Sequence, residues 1–118
     1  MKVKPTYKEI KKKINVNVFP YEVYVVLTTD VNEARKRRNK IFGETSLDHA
    51  IAMHSSLHTG FSYLFLPYNC TPWVLCHEVF HTVWEIMHFI GAELENEVMA
   101  YLMSFLMKEI NKFGSTWK

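Results

Sequence analysis

The sequence predicts an α+β domain. Segments rich in alternating or β-branched residues occupy the first part of the chain, and two long helical patterns split by a glycine close it. The length of 118 residues fits one domain and leaves no room for two ordinary cores.

Taken in order, residues 1–19 read as a basic N-terminal arm, with a short surface helix as one option for its start. Six of its residues are lysines, all before Ile14. Residues 14–19 (Ile-Asn-Val-Asn-Val-Phe) alternate apolar and polar with period two. Residues 22–29 (Glu-Val-Tyr-Val-Val-Leu-Thr-Thr) predict a strand, because β-branched and aromatic side chains pack well on a pleated surface. Asp30-Val31-Asn32-Glu33 has the form of a capping box. It predicts a helix from Val31 to about Phe42, stopped by Gly43, with Arg35, Arg37, Arg38 and Lys40 on a wet face.

Residues 47–54 and 60–67 predict two strands around a polar turn. Thr71 as N-cap and Pro72 at the first helical position start a helix that runs to about Ile90 and stops at Gly91. A second helix begins between Leu94 and Asn96, runs to about Phe113 and ends at Gly114.

Composition narrows the function classes. Apolar residues make up 48% and charged residues 22%, enough side chain to offset the entropy of ordering, so disorder is excluded. No apolar run approaches the roughly 18 residues of a membrane span, and Val98–Met107 reads as a buried helix. The basic start Met1–Pro5 is followed by no apolar run before Pro20 and Glu22, so no secretory leader is expected. Cys70 and Cys76 are too few for a disulfide scaffold or an all-cysteine zinc site. They read as free structural thiols in a reducing, cytoplasmic setting. Net charge is +2, unevenly spread. Residues 1–40 carry 11 Lys/Arg against 4 Asp/Glu, and residues 41–118 carry 3 against 8. A nucleic acid or an acidic partner is the functional reading of that basic half. A solvated face is the bland reading, favoured because aromatic residues are not interleaved with the Lys/Arg.

The stretch that carries chemistry is His77-Glu78-Val79-Phe80-His81. Residues four apart on a helix share a face, so both imidazoles can converge on one tetrahedral Zn²⁺. Glu78 lies about 100° round from His77, placed for a metal-bound water rather than the metal, as a general base requires. A shuffled chain of this composition would show the pattern about one time in forty, so context matters. The helix is apolar in most directions, which predicts burial, and buried histidines and carboxylates need partners.

A catalytic zinc normally takes a third protein ligand. An HExxHxxGxxH extension fails, because Trp84 and Met87 stand where Gly and His are needed. Glu93, Glu95 and Glu97 follow the Gly91 turn, and Glu97 is favoured: Ala100, Tyr101 and Ser104 give its helix a face with small residues. Glu93 falls near the turn, and Glu95 suits a helix-start charge or an outer-shell partner.

His77-Glu78-Val79-Phe80-His81, a glycine turn and Glu97-Val98-Met99-Ala100-Tyr101 resemble a gluzincin-type zincin metallopeptidase. The chain is similar to the compact minigluzincins and to small zincin-like proteins often encoded by phages, in which a strand with a Leu-Pro end leads into the HExxH helix, as Phe65-Leu66-Pro67 and Thr71-Pro72-Trp73 do here. The resemblance covers roughly residues 45–105. It implies a minimal zincin-like fold, a small twisted sheet of about three to four strands packed on the HExxH helix, with an edge strand from 47–54 or 60–67 binding extended peptide. It implies Zn²⁺ held by His77, His81 and Glu97, Glu78 as base, and a second donor to the oxyanion. Tyr101 is the first candidate for that donor, ahead of His88 and His58, although core packing is the favoured reading of Tyr101. The departures are a short spacing between His81 and Glu97 and an expected lack of a C-terminal subdomain to wall the cleft.

Two rivals to an active peptidase stand beside it. One is a non-catalytic zincin-like protein binding nucleic acid or an acidic partner through its basic half. The other is a latent peptidase whose residues 1–19 cover the cleft. Other residues receive bland readings. His88 lies about 10.5 Å along the helix from His81, too far to share its metal, and pairs with Glu85. A di-iron site is rejected, because both Glu-x-x-His pairs fall on one helix. His49, His54 and His58 have irregular spacing for a second cluster. Met99, Met103 and Met107 repeat as core packing does.

Overall fold

The alternation read in the sequence resolves into one mixed sheet in a computed structural model, which describes residues 6–16, 19–38, 53–56, 60–91 and 96–118. Its strands are β1 (Glu9–Val16), β2 (Tyr21–Thr28), β3 (Met53–Ser56) and β4 (Phe61–Pro67), in the order β1-β2-β4-β3. β1 pairs antiparallel with β2, β2 runs parallel to β4, and β3 closes the other edge antiparallel to β4. Helix α1 (Val31–Lys36) covers one face. Helices α2 (Pro72–Phe89) and α3 (Asn96–Gly114) cover the other. The α+β class is therefore observed.

The two-residue period decides which side chain meets which layer. Tyr21, Val23, Val25 and Leu27 of β2, with Leu64 and Leu66 of β4, face α2 and α3. Val26 of β2 and Tyr63 and Phe65 of β4 face Val31 and Ala34 of α1. The central strands are thus buried on both faces, which is why their sequences read as near-continuous apolar runs. Each fully buried large side chain there contributes roughly 1.5–3 kcal/mol. One polar pair enters this core: the Tyr21 hydroxyl bonds the Ser62 hydroxyl, so neither is left unsatisfied.

Part of the expected N-terminal arm is a strand. Residues 9–16 form β1, with Ile14 and Val16 buried against the α2/α3 layer and Lys11, Lys12 and Lys13 exposed. The lysines give this edge strand charge that discourages pairing with another chain. β1 lies at the edge opposite β3.

α1 is shorter than predicted and drier. Asp30 caps it by accepting from the Glu33 N–H at 3.1 Å, but Glu33 does not reach back; its carboxylate takes Arg37 Nε at 3.2 Å. The helix ends at Lys36. Arg38 donates to the Ala34 carbonyl at 3.1 Å, satisfying a last-turn acceptor, and also to the Glu9 carboxylate. The expected wet arginine face holds at Arg37, whose side chain is 51% exposed, and is corrected at the other two: Arg35 is buried and the Arg38 side chain is only 14% exposed. Lys40, Phe42 and Gly43 lie outside the described residues, as does the 47–52 part of the third predicted strand.

The Glu9–Arg38 pair predicts an acid-sensitive contribution. Burial pushes the Glu9 carboxyl up, but hydrogen bonds from Arg38 and Tyr7, with the charges of Arg38 and Arg37, outweigh it and hold the group below its ordinary value. A depressed carboxyl stabilises the fold above its unfolded pKa, and that stability is lost as pH falls through the folded value. Glu9→Gln should cost about 1 kcal/mol near neutrality. In thermal melts against pH, the gap to the unmutated chain should close below about pH 4.

The last two helices begin and end close to where the sequence places them. Thr71 is extended at the N-cap position with Pro72 after it, although its side chain makes no cap bond. Gly91 takes φ +69 just after the Ile90 C-cap, a left-handed turn suited to glycine. Gly60, at φ +90, also needs to be glycine: a Cβ there would come within 3.1 Å of the Phe89 ring. The Trp117 ring stacks on Tyr68 at 5.0 Å and lies 4.4 Å from Lys8 Nζ, pinning the end of the chain to the sheet. No helix among the described residues is long and apolar enough to cross a membrane.

Candidate functional site

α2 lies against β4 and the edge strand β3. Its buried residues are Glu78, Val79, Thr82, Val83, Ile86 and Met87. The opposite stripe is in water: Trp73 is 73% exposed, Phe80 44% and Trp84 39%, and His77, His81 and His88 are exposed with them. Burial on most sides, expected from the apolar composition, is therefore not observed. Among the described residues the helix packs on the sheet and on α3, which leaves a face over, whatever side chains it carries.

The exposed stripe brings the two motif histidines together. His77 Nε2 and His81 Nε2 are 3.1 Å apart, and their rings meet edge to face at 4.7 Å. Two nitrogens on one tetrahedral zinc at about 2.0–2.1 Å stand about 3.3 Å apart, so the pair fits a shared ion with little adjustment. Beside them Glu78 is 8% exposed. Burial pushes its carboxyl up, and the nearby His81 and His77 oppose that only in part. A carboxyl held above its ordinary range beside an imidazole pair suits a group that takes and returns a proton.

The third expected ligand is not brought to the pair. Among the described residues no group of three His, Cys, Asp or Glu is arranged to hold a metal. Glu97 is exposed on the first turn of α3, whose buried side carries Leu102, Leu106, Ile110 and Phe113. From Leu102, Glu97 is about 140° round the helix. The α3 residue that borders the histidines is Met103, about 9 Å further along the axis than Glu97. Glu93, Glu95, His49 and His58 lie outside the described residues. His54 is on β3, whose backbone alone is described.

Tyr101 is 53% exposed, its ring stacked parallel to Phe105 at 6.3 Å, and it does not line the cavity against the histidines. His88 does not take up Glu85: its Nδ1 meets the Trp84 carbonyl at 2.8 Å. Cys70 is half-buried and Cys76 exposed, both free. Cys76, about 100° from His77 on the helix, still lines the same cavity. The sequence reading missed Trp73, Phe80 and Met103 as parts of the site. Trp73, His77, Phe80 and Trp84 at helical spacing carried that signal, since they form one stripe.

Among the described residues, several cations of the basic half have partners within the chain. Arg38 pairs with Glu9, Arg37 lies 3.9 Å over the Tyr7 ring, and Lys11 lies 5.9 Å over Tyr24. Lys13 is 4.0 Å from Glu22. The aromatic side chains beside them, Tyr24, Tyr63 and Phe65, stack on one another at 4.8 and 5.7 Å, which uses the ring faces that bases would need.

Comparison with known proteins gives no relative: no protein family, no curated sequence and no solved structure matches the chain.

Proposed function

We propose that this chain is a zinc-dependent peptidase of gluzincin type. The observation that carries the reading is one helical turn: two imidazole nitrogens at metal-sharing distance with a buried carboxyl between them in sequence. His77 and His81 would hold Zn²⁺, and Glu97 is the third donor the reading requires. Bound zinc supplies a Lewis acid that acidifies water and polarises a peptide carbonyl. Glu78 takes the proton of the attacking water and returns it to the departing amine, so atoms and charge balance within one acid–base cycle. Its burial supports that role, because a solvated carboxylate would be too weak a base and too strong an acid to return the proton near neutrality.

A metal-stabilised module that binds nucleic acid through the basic half is less well supported. Arg37 and Arg38 and the ring faces of Tyr24, Tyr63 and Phe65 are engaged within the chain.

The test is metal content by mass spectrometry on the purified chain, beside hydrolysis of an unstructured protein. About one zinc per chain with chelator-sensitive cleavage is expected. No zinc bound, and none taken up when zinc is added, would overturn the reading.

A further inference from the structure

The geometry points to a substrate groove between α2 and α3 that receives a peptide segment carrying two large uncharged apolar side chains, one on each side of Phe80. This rests on the peptidase reading above and gives it a substrate class.

Two cavities adjoin along the helix pair. One, of about 760 Å³, is lined by Trp73, Cys76, His77, Phe80, His81 and Met103. The other, of about 450 Å³, continues along α3 with Met99, Met103 and Met107 in its wall. Phe80 and Met103 belong to both, so the two spaces form one groove with a ridge in it.

Three features select the occupant. Among the described residues neither wall contains Lys, Arg, Asp or Glu, so a Lys or Arg side chain would lose its hydration without gaining a partner. Trp73 and Phe80 are 73% and 44% exposed, and a buried apolar side chain would cover them. Methionines line the second cavity, and their unbranched, polarizable chains adapt to different shapes, which fits a class of residue rather than one residue. The first cavity includes both histidines, so a chain lying in the groove sets its backbone beside the reacting centre. That continuity identifies the occupant as substrate. From Asn96 to Met107 the groove follows α3 for roughly 16 Å, the length of about five extended residues.

The experiment uses the zinc-loaded Glu78→Gln chain, which holds peptide without cutting it. The probes are two fluorescent ten-residue peptides of Ser, Gly and Gln, one with two Leu residues and one with two Lys residues in the same places. Anisotropy should show the Leu peptide binding about tenfold or more tightly. Met103→Lys should remove that preference and Met103→Leu should keep it, with zinc content and melting temperature checked for each. In the chain with Glu78 intact, Met103→Lys should raise KM for the Leu peptide more than it lowers kcat. Equal binding of the two peptides, or a preference that survives Met103→Lys, overturns the groove while leaving hydrolysis to stand. Selective binding without cleavage by the unmutated chain supports the groove and overturns hydrolysis.

Discussion

Replacing Glu78 by Gln should lower the rate of peptide hydrolysis by about 10²–10⁴-fold while leaving zinc in place. The amide has nearly the same shape as the carboxylate but cannot accept the proton of the attacking water. Because Glu78 is next to the histidines in sequence yet turned into the protein, its loss removes a proton acceptor and no metal ligand. The fold should not suffer. A neutral amide avoids the cost of burying an ionised carboxylate, so the melting temperature should hold or rise. Zinc content, melting temperature and turnover measured on one preparation separate these effects. An unchanged rate would remove Glu78 from the mechanism.

Replacing His81 by Ala should abolish tight zinc binding and, with it, both activity and any zinc-induced rise in melting temperature. A single remaining imidazole cannot hold the ion against water, and ligand binding stabilises only the state that binds. The informative companion is Glu97→Ala. Glu97 is exposed and is not grouped with the histidines. Metal binding is coupled to folding, so a ligand can be drawn in as the site forms. On that account Glu97→Ala should weaken zinc by more than the roughly 10–100-fold that follows loss of an outer-shell partner. Competition with a chelating dye measures it. If Glu97→Ala binds zinc normally and Glu93→Ala or Glu95→Ala does not, the third donor is one of those residues.

The parts of the molecule legible in the sequence share a physical basis: local geometry. Pro72 and Gly91 mark helix ends because they act through their own missing donor and backbone angle. The four-residue spacing of His77 and His81 guarantees a shared face on any helix. The β2 and β4 strands announce themselves through β-branched and aromatic side chains. Residues 9–16 were harder to read because three consecutive lysines interrupt the alternation, and an edge strand tolerates them where a central one would not.

What the tertiary structure decided is which faces are left over. Sequence composition made α2 look buried all round, but the sheet and α3 cover only part of it. That put the histidines, Trp73 and Phe80 in water and Glu78 inside. The same packing sent Arg38 across to Glu9, a contact 29 residues apart in the chain, and made a groove wall of Met103. Spacing along one helix fixes a metal-binding pair, because both side chains hang from the same rigid turn. The position of a third ligand depends on how a second helix packs, and that is set by apolar side chains far from the motif.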